Sequence, residues 1–336
     1  MKQKVIKVLS HPTPKIKKST NVDALYREID ANFLTHESSI NFDIYTKDGL
    51  TYVIFYPNGS VLDEAHIVEA KLKSDFFVLS DDIRAFNDYV NENIKNILDN
   101  KNIPIEERSK AVYKVSTNIV GNMFKDPYSP ENLKRSEDVV NGIIDIVLSN
   151  ENALLSLMKV TEHDYRTHTH CINVSIYAIN IGQSLDFTAE ELCELGTAAM
   201  LHDLGKTQVD AMIINKNGKL TLEEFDKMKT HPEEGYLIAK ELGINNERIL
   251  EGIRNHHEKF DGTGYPQSLK SDNISIYSQI IAICDIFDAL TTERPYKKAF
   301  STFDALKLMK DEFSEHISMK ILTHFIRHLY AIAHEK

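Results

Sequence analysis

Histidine and aspartate occur in the C-terminal half of this chain in patterns that suit metal binding. His202 and Asp203 are adjacent, follow the apolar stretch Leu195–Leu201, and precede Lys206 by only a few positions. An adjacent imidazole and carboxylate can ligate one metal ion while the carboxylate reaches a second. On a helix, Lys206 would lie on the same face and could stabilise charge on a phosphate oxygen. Taken alone, the pair is explained equally well as a polar cap at the protein surface.

A second pair of candidate ligands, His256 and His257, begins a turn-rich segment that runs to Pro266. Two consecutive histidines on a helix point about 100° apart, so they can flank one ion or reach toward two. The simpler alternative is a pair of solvated histidines at a helix end.

Asp285 is the third candidate, because it lies in the segment Ile280–Leu290, which is apolar on nearly all sides of a helix and is therefore predicted to be buried. A buried carboxylate is costly unless it is paired or bound to a cation. A salt bridge is the alternative to metal ligation. His170 and His231 would each be read as structural residues if they stood alone, and they gain weight only by joining the other candidates.

The order of these residues resembles that of the HD superfamily of metal phosphohydrolases, and more narrowly the HD-GYP family of bacterial cyclic di-GMP phosphodiesterases. Three segments carry the resemblance, 202–206, 256–266 and 285–297, and it covers roughly residues 137–330. The resemblance implies two divalent metal ions per chain, with iron or manganese as the usual occupants. The implied ligands of the first ion are His170, His202, Asp203 and Asp285. Those of the second are His231, His256 and His257, with Asp203 bridging. Nitrogen and oxygen donors without thiolate are compatible with both metals.

The resemblance also implies the remaining roles. A hydroxide between the metals would attack phosphorus, with Asp203 and Lys206 as the catalytic residues and Lys206 neutralising the developing charge. Arg294 and Lys297 match positions that grip the phosphates of the ligand, for which a guanidinium is well suited, and Asp288 matches a substrate-binding position. The loop that names the family would shape a pocket lid or a partner surface, and its residues are Gly262, Gly264, Tyr265 and Pro266.

Several positions depart from the family pattern. Arg166 stands where some members carry a glutamate that recruits a third metal, so two metals are predicted here. The segment Thr207–Asp210 and Asn217 also differ from the family, which would alter a loop beside the site without removing a ligand. Cys171 and Cys284 adjoin His170 and Asp285 in the sequence and are expected to pack as small apolar groups, with a soft contact to metal as the alternative.

The predicted function is the hydrolysis of cyclic di-GMP to linear pGpG, with GMP as an alternative final product. One alternative is another HD-type phosphohydrolase that acts on nucleotides or on a different cyclic dinucleotide. The other is a cyclic di-GMP receptor or scaffold with little turnover.

The predicted fold that positions these residues is α+β. Apolar residues recur at helical spacing from Glu137 onward, which predicts an all-α, HD-type helical bundle, whereas period-two alternation at Ile40, Phe42 and Ile44 predicts a small α/β domain before it. Capping boxes at Thr188 and Thr221 predict two helix starts. The expected division is a regulatory domain over 1–95, a helical linker over 96–136 and the HD-GYP phosphodiesterase domain over 137–336.

Composition limits the classes of partner. The net charge of −11 argues against duplex nucleic acid, and no segment supplies the ~20 apolar residues of a membrane span. Three scattered cysteines favour a reducing compartment, so a cytoplasmic location is expected. Cyclic di-GMP is the expected ligand, and diguanylate cyclases, other signalling domains and a second copy of the chain are candidate partners.

Overall fold

The computed structural model describes residues 22–29, 31–35, 37–49, 51–63, 65, 75–100, 103–149, 153–160, 167–216, 218–293 and 298–334. The chain forms two compact units, Met1–Tyr89 and Val90–Lys336. The finer division at residues 95 and 136 stays a prediction.

The N-terminal unit contains six described strands: β1 Tyr26–Ile29, β2 Ser38–Ser39, β3 Ile44–Asp48, β4 Thr51–Tyr56, β5 Val61–Leu62 and β6 Phe76–Leu79. Four of them form an antiparallel sheet in the order β1-β6-β3-β4, and β2 pairs with β5. A turn joins β3 and β4, with Gly49 at φ +61°. Ile40 and Phe42, whose alternation predicted the small α/β domain, are buried but lie outside the strands, and Phe42 packs edge-on against Phe86.

The remainder of the described chain is helical, which confirms the α+β class. The helices are α1 Ile83–Asp99, α2 Ile105–Lys125, α3 Pro130–Ser149, α4 Ala153–Val160, α5 Thr167–Ser184, α6 Ala189–Leu201, α7 Ala211–Ile214, α8 Leu222–Met228, α9 His231–Glu241, α10 Glu247–Asn255, α11 Ile276–Thr291, α12 Thr302–Glu312 and α13 Met319–His334. Both predicted capping boxes are formed, by Thr188 with Glu191 at α6 and by Thr221 with Glu224 at α8.

Helix α5 lies at the centre of the C-terminal unit. Its residues from Thr169 to Gly182 are all buried, and it packs against α6 on one side and α11 on another. Both α5 and α11 carry apolar residues on nearly every side. Such helices are stable only where other elements cover them, which explains their central position.

A short 3₁₀ turn, Leu204–Gln208, follows the His202–Asp203 pair and packs directly on the start of α9. Gly205 makes this approach possible, because a Cβ atom there would lie 1.9 Å from the carbonyl oxygen of His231. Only glycine permits backbone segments to come so close. The contact brings His231 next to Asp203.

Among the residues that the structure describes, no helix has the length and apolar composition needed to cross a membrane.

Candidate metal centre

Five separate segments of the C-terminal unit converge on one site. His170 lies in α5, and Asp285 lies in the middle of α11. His231 begins α9. The two pairs follow the ends of helices: His202 and Asp203 follow α6, and His256 and His257 follow α10. The structure thus brings together all seven residues that the sequence pattern singled out, although they span more than a hundred positions.

Three of the imidazoles are oriented by backbone carbonyls that lie just before them in the chain. The Nδ1 atoms of His202, His231 and His256 each lie 2.7 Å from the carbonyl oxygen three positions earlier in the chain. A carbonyl can only accept, so each Nδ1 donates and each neutral ring presents its Nε2 lone pair to the site. This is the tautomer in which histidines bind metal through Nε2.

These Nε2 atoms are buried, and their lone pairs lack suitable hydrogen-bond donors among the described residues. The Nε2 of His202 has no hydrogen-bond partner within the described part of the chain. The Nε2 atoms of His231 and His256 face each other at 3.3 Å. Buried polar atoms are normally satisfied, so lone pairs directed at one another indicate that a cation belongs between them.

The candidate ligands form two groups on either side of one carboxylate. One group consists of His231, His256 and His257, and the other consists of His170, His202 and Asp285. Within each group, the donor atoms lie within 4.8 Å of one another. Asp203 lies between them, with Oδ1 3.3 Å from Nε2 of His231 and Oδ2 3.8 Å from Nε2 of His170. Asp285 approaches His170 most closely, at 3.1 Å.

The charge states of Asp203, His256 and His257 suit cation binding. Burial opposes ionisation of Asp203, but Lys206, whose Nζ lies 2.6 Å from Oδ2, holds the pKa of this carboxyl well below its usual range. Burial lowers the pKa of His256 well below its ordinary value, and burial with the neighbouring His231 lowers the pKa of His257 to about 3. Neutral imidazoles and ionised carboxylates are the forms that bind metal.

The residues present therefore fit two divalent cations bound through nitrogen and oxygen. Cys171 is the one thiol near the described donor groups, within 4.8 Å of ligand atoms of His202 and Asp203. Burial raises the pKa of this thiol well above its ordinary value, so it is protonated and acts as a small apolar group in the absence of metal.

The Gly-Tyr-Pro loop folds back onto His257. The rings of Tyr265 and His257 are 4.8 Å apart, and the Tyr265 amide donates to the His257 carbonyl. Gly264 is required where the loop crosses its own beginning, since a Cβ atom there would lie 2.4 Å from the Lys259 nitrogen. Glu258 holds the far side of the loop by accepting two backbone N–H groups, from Gln267 and Leu269.

Glu258 was missed by sequence reasoning. It directly follows the two histidines and is only 4% exposed, and its carboxylate has the two amides as its partners. A glutamate beside a metal motif is ambiguous in sequence, because the same residue type could equally be a ligand or a solvated side chain.

Asp288, expected at a substrate-binding position, lies beneath His170. Its Oδ2 accepts from Nδ1 of His170 at 2.6 Å, and its Oδ1 accepts from Asn173 and Thr292. The residue is fully buried, so protein donors occupy both of its oxygens. Asn173 was also missed, although its position three residues after His170 on α5 matches that of Asp288 after Asp285 on α11.

Three further predicted residues lie outside the described part of the chain. They are Arg294 and Lys297, expected to contact phosphate, and Arg166, on which the count of two metals depended.

Comparison with known proteins gives a consistent result. The model of a family described as the HD domain matches residues 143–321. A cyclic di-GMP phosphodiesterase of Pseudomonas aeruginosa is 33% identical over 210 residues, which cover 62% of this chain and 50% of that protein. A 3′3′-cGAMP-specific phosphodiesterase of Vibrio cholerae is 37% identical over 146 residues, which cover 43% of this chain and 31% of that protein. The chain thus spans half or less of the length of these relatives.

A solved structure shares the fold of nearly the whole chain. Bd1817, an HDG"Y"P protein from Bdellovibrio bacteriovorus, superposes with a TM-score of 0.65 at 20% identity and covers 91% of this chain and 99% of that one. The family match extends over more than half of the chain and includes every segment that carries a candidate ligand. The chain belongs to the HD domain family.

Proposed function

We propose that this chain is a phosphodiesterase that hydrolyses cyclic di-GMP to pGpG, and further to GMP, at a centre of two divalent metal ions, iron or manganese. The observation that carries the proposal is the placement of Asp203 between two groups of buried donors, with Lys206 against it. This arrangement suits the cleavage of a phosphodiester at two metals, because Asp203 would help to hold both ions and the ammonium group of Lys206 would stand beside the reacting phosphate.

The metal ions, when bound, would supply Lewis acidity and acidify a water molecule for attack on phosphorus. The protein does the rest. His202, His231 and His256 keep their Nε2 lone pairs aimed inward because their Nδ1 protons are held by backbone carbonyls. Asp203 stays ionised to contact both ions.

Lys206 has a second task in this proposal. Its side chain is 20% exposed, whereas the carboxylate that it contacts is nearly buried. The ammonium group therefore lies at the boundary between the donor groups and solvent, where a phosphate would enter. There it would stabilise the charge that develops on a phosphoryl oxygen.

Asp288 orients a ligand in this proposal and does not contact substrate. A carboxylate that accepts from Nδ1 of a metal-binding histidine fixes the ring and increases the basicity of Nε2. Contact with the two phosphates is assigned to Arg294 and Lys297. The guanidinium of Arg294 suits bidentate hydrogen bonding to a phosphate, and the ammonium of Lys297 suits attraction as a point charge.

The choice of substrate is supported by the relatives, which include the cyclic di-GMP phosphodiesterase of P. aeruginosa. A different cyclic dinucleotide is the second candidate, because the V. cholerae relative is named for 3′3′-cGAMP. A receptor without turnover is less favoured, since all seven candidate ligands are retained and face one another.

The test is anaerobic purification with metal analysis, followed by product analysis. Cyclic di-GMP, 3′3′-cGAMP and a linear mononucleotide are each incubated with the protein, with and without added iron or manganese. We expect about two ions per chain, with pGpG as the first product. Fewer than about one ion per chain would refute the binuclear centre, and faster turnover of 3′3′-cGAMP would reassign the substrate.

The site is tested by substitution. His202→Ala combined with Asp203→Ala removes one donor of the first group and the carboxylate between the two groups, and it should abolish hydrolysis. Arg294→Ala should mainly weaken substrate binding. Turnover by the double variant would show that the chemistry occurs elsewhere.

A further inference from the structure

A chain of hydrogen bonds connects helix α2 with His170. The Tyr113 hydroxyl donates to Oδ1 of Asn173 at 3.0 Å, and Nδ2 of Asn173 donates to Oδ1 of Asp288 at 2.8 Å. Asp288 in turn accepts from Nδ1 of His170. Asn173, Asp288 and His170 are each at most 2% exposed, so water does not compete for these bonds.

The direction of each bond is set by chemistry. A carboxylate accepts only, so Asn173 must present its amide nitrogen to Asp288. Its carbonyl oxygen then faces Tyr113, whose hydroxyl can donate. Tyr113 thus donates to the carbonyl oxygen of the Asn173 side chain, which Asp288 cannot do. The two hydrogen bonds together hold Asn173 in one orientation.

The consequence reaches Nε2 of His170. Asp288 receives three donors, from His170, Asn173 and Thr292, and these set the position of its carboxylate. That position sets the plane of the His170 ring and the direction of its Nε2, which lies 3.1 Å from Asp285. A loosened Asn173 would loosen Asp288, and the ring with it.

We propose that Tyr113 is a positioning residue of the metal centre that acts through Asn173 and Asp288 on His170. This inference rests on the proposed function, in which His170 binds metal. Tyr113 lies on α2, before residues 143–321 that match the HD domain. A residue on a helix outside the matched region thereby fixes the orientation of His170, a metal ligand inside that region.

Tyr113→Phe is the test variant, because it removes the hydroxyl and keeps the ring. Ser116→Ala is the matched control, since Ser116 is buried on the same helix and its hydroxyl donates only to the Val112 carbonyl among the bonds described. The dissociation constant for Mn²⁺ is measured on the metal-free full chain by the electron paramagnetic resonance signal of free Mn²⁺, beside kcat, KM and the thermal midpoint.

We expect Tyr113→Phe to weaken Mn²⁺ binding about 3- to 10-fold, less than the roughly 10- to 100-fold loss typical of a direct neighbour of a metal-binding histidine. KM for the dinucleotide should be unchanged at saturating metal, and Ser116→Ala should bind Mn²⁺ like the unaltered protein. A merely structural role for Tyr113 would shift the thermal midpoint without changing Mn²⁺ affinity.

A double-mutant cycle tests the route. If Tyr113 acts through Asn173, Tyr113→Phe should have no further effect once Asn173→Ala is present. Additive losses, unaltered Mn²⁺ affinity in Tyr113→Phe, or an equal loss in Ser116→Ala would each overturn the inference. An unaltered protein that binds no Mn²⁺ would instead overturn the proposed function itself.

Discussion

Nε2 of His231 and Nε2 of His256 lie 3.3 Å apart, and the Nδ1 atom of each ring is engaged by a backbone carbonyl. In neutral rings the two facing atoms both carry lone pairs, which repel at this distance. A cation held by both rings would remove the repulsion.

The first prediction follows from this pair. His231→Ala and His256→Ala should each reduce the metal content of anaerobically purified protein by about one ion per chain, because each removes a donor from the same group of three. The measurement is metal analysis by mass spectrometry. His316→Ala is the control, since His316 pairs with Asp261 and belongs to neither group of donors. Full metal content in both test variants would contradict the assignment.

Lys206 is predicted to serve the reaction more than the binding of metal. Lys206→Gln should lower kcat about 10²- to 10³-fold, the usual loss when one group that stabilises developing charge is removed. Metal content should be retained, because no nitrogen or carboxylate ligand is lost. Lys216→Gln is the matched control, since Lys216 also pairs with a carboxylate, Glu224, among the described residues. Loss of metal from Lys206→Gln would instead indicate that the ammonium chiefly stabilises Asp203.

The close crossing at Gly264 predicts a local effect on the loop. Gly264→Ala should destabilise the protein by about 1–3 kcal/mol, since the added methyl group overlaps backbone atoms that cannot move aside. Displacement of the loop should also separate the ring of Tyr265 from that of His257. Urea unfolding and kcat are the measurements. Gly121→Ala in α2 is the control, because a Cβ atom there has its nearest contact at 4.0 Å. Equal stability of the two variants would show that the loop relaxes.

The lowered pKa of His257 predicts that it contributes an acid-dependent loss of stability to the metal-free protein. Its pKa is about 3 when folded and about 6.5 when unfolded, so the unfolded chain binds more protons between these values. Stability is therefore lost as pH falls through 6.5. Between pH 7.5 and 5.5 the difference in bound protons corresponds to a loss of about 1.4 kcal/mol from this residue. This value is an upper limit, because the ring is partly exposed.

The measurement compares urea unfolding of the metal-free protein with that of His257→Gln at both pH values. The difference between the two proteins isolates His257. This matters because burial lowers the pKa of His170 while its bonds to Asp285 and Asp288 raise it well above its ordinary value, so that residue shifts in the opposite direction. An identical pH dependence in the two proteins would show that His257 is not held neutral.

Local sequence signals predicted much of the fold. The capping boxes at Thr188 and Thr221 depend on residues three positions apart, and both are formed. Ile40 and Phe42 show the limit of such local signals. Their alternation is typical of a strand, but both lie outside the strands, and Phe42 packs against Phe86 on α1.

For the candidate site, the sequence by itself determined the residue types and the neighbours within each motif, such as Lys206 beside Asp203. Contacts within one turn of a helix follow from its geometry and can be read without a structure. The grouping of the donors on either side of Asp203 was implied only by family resemblance, because no local rule connects His231 with His256.

Only the tertiary structure decided how each ligand is held. His170 and Asp288 are 118 positions apart, and their contact exists because the buried helices α5 and α11 pack side by side. The same packing places Asp288 against His170 and Asn173, and Asn173 against Tyr113. Such contacts depend on the burial of apolar surface summed over the whole unit, and no short segment of sequence specifies them.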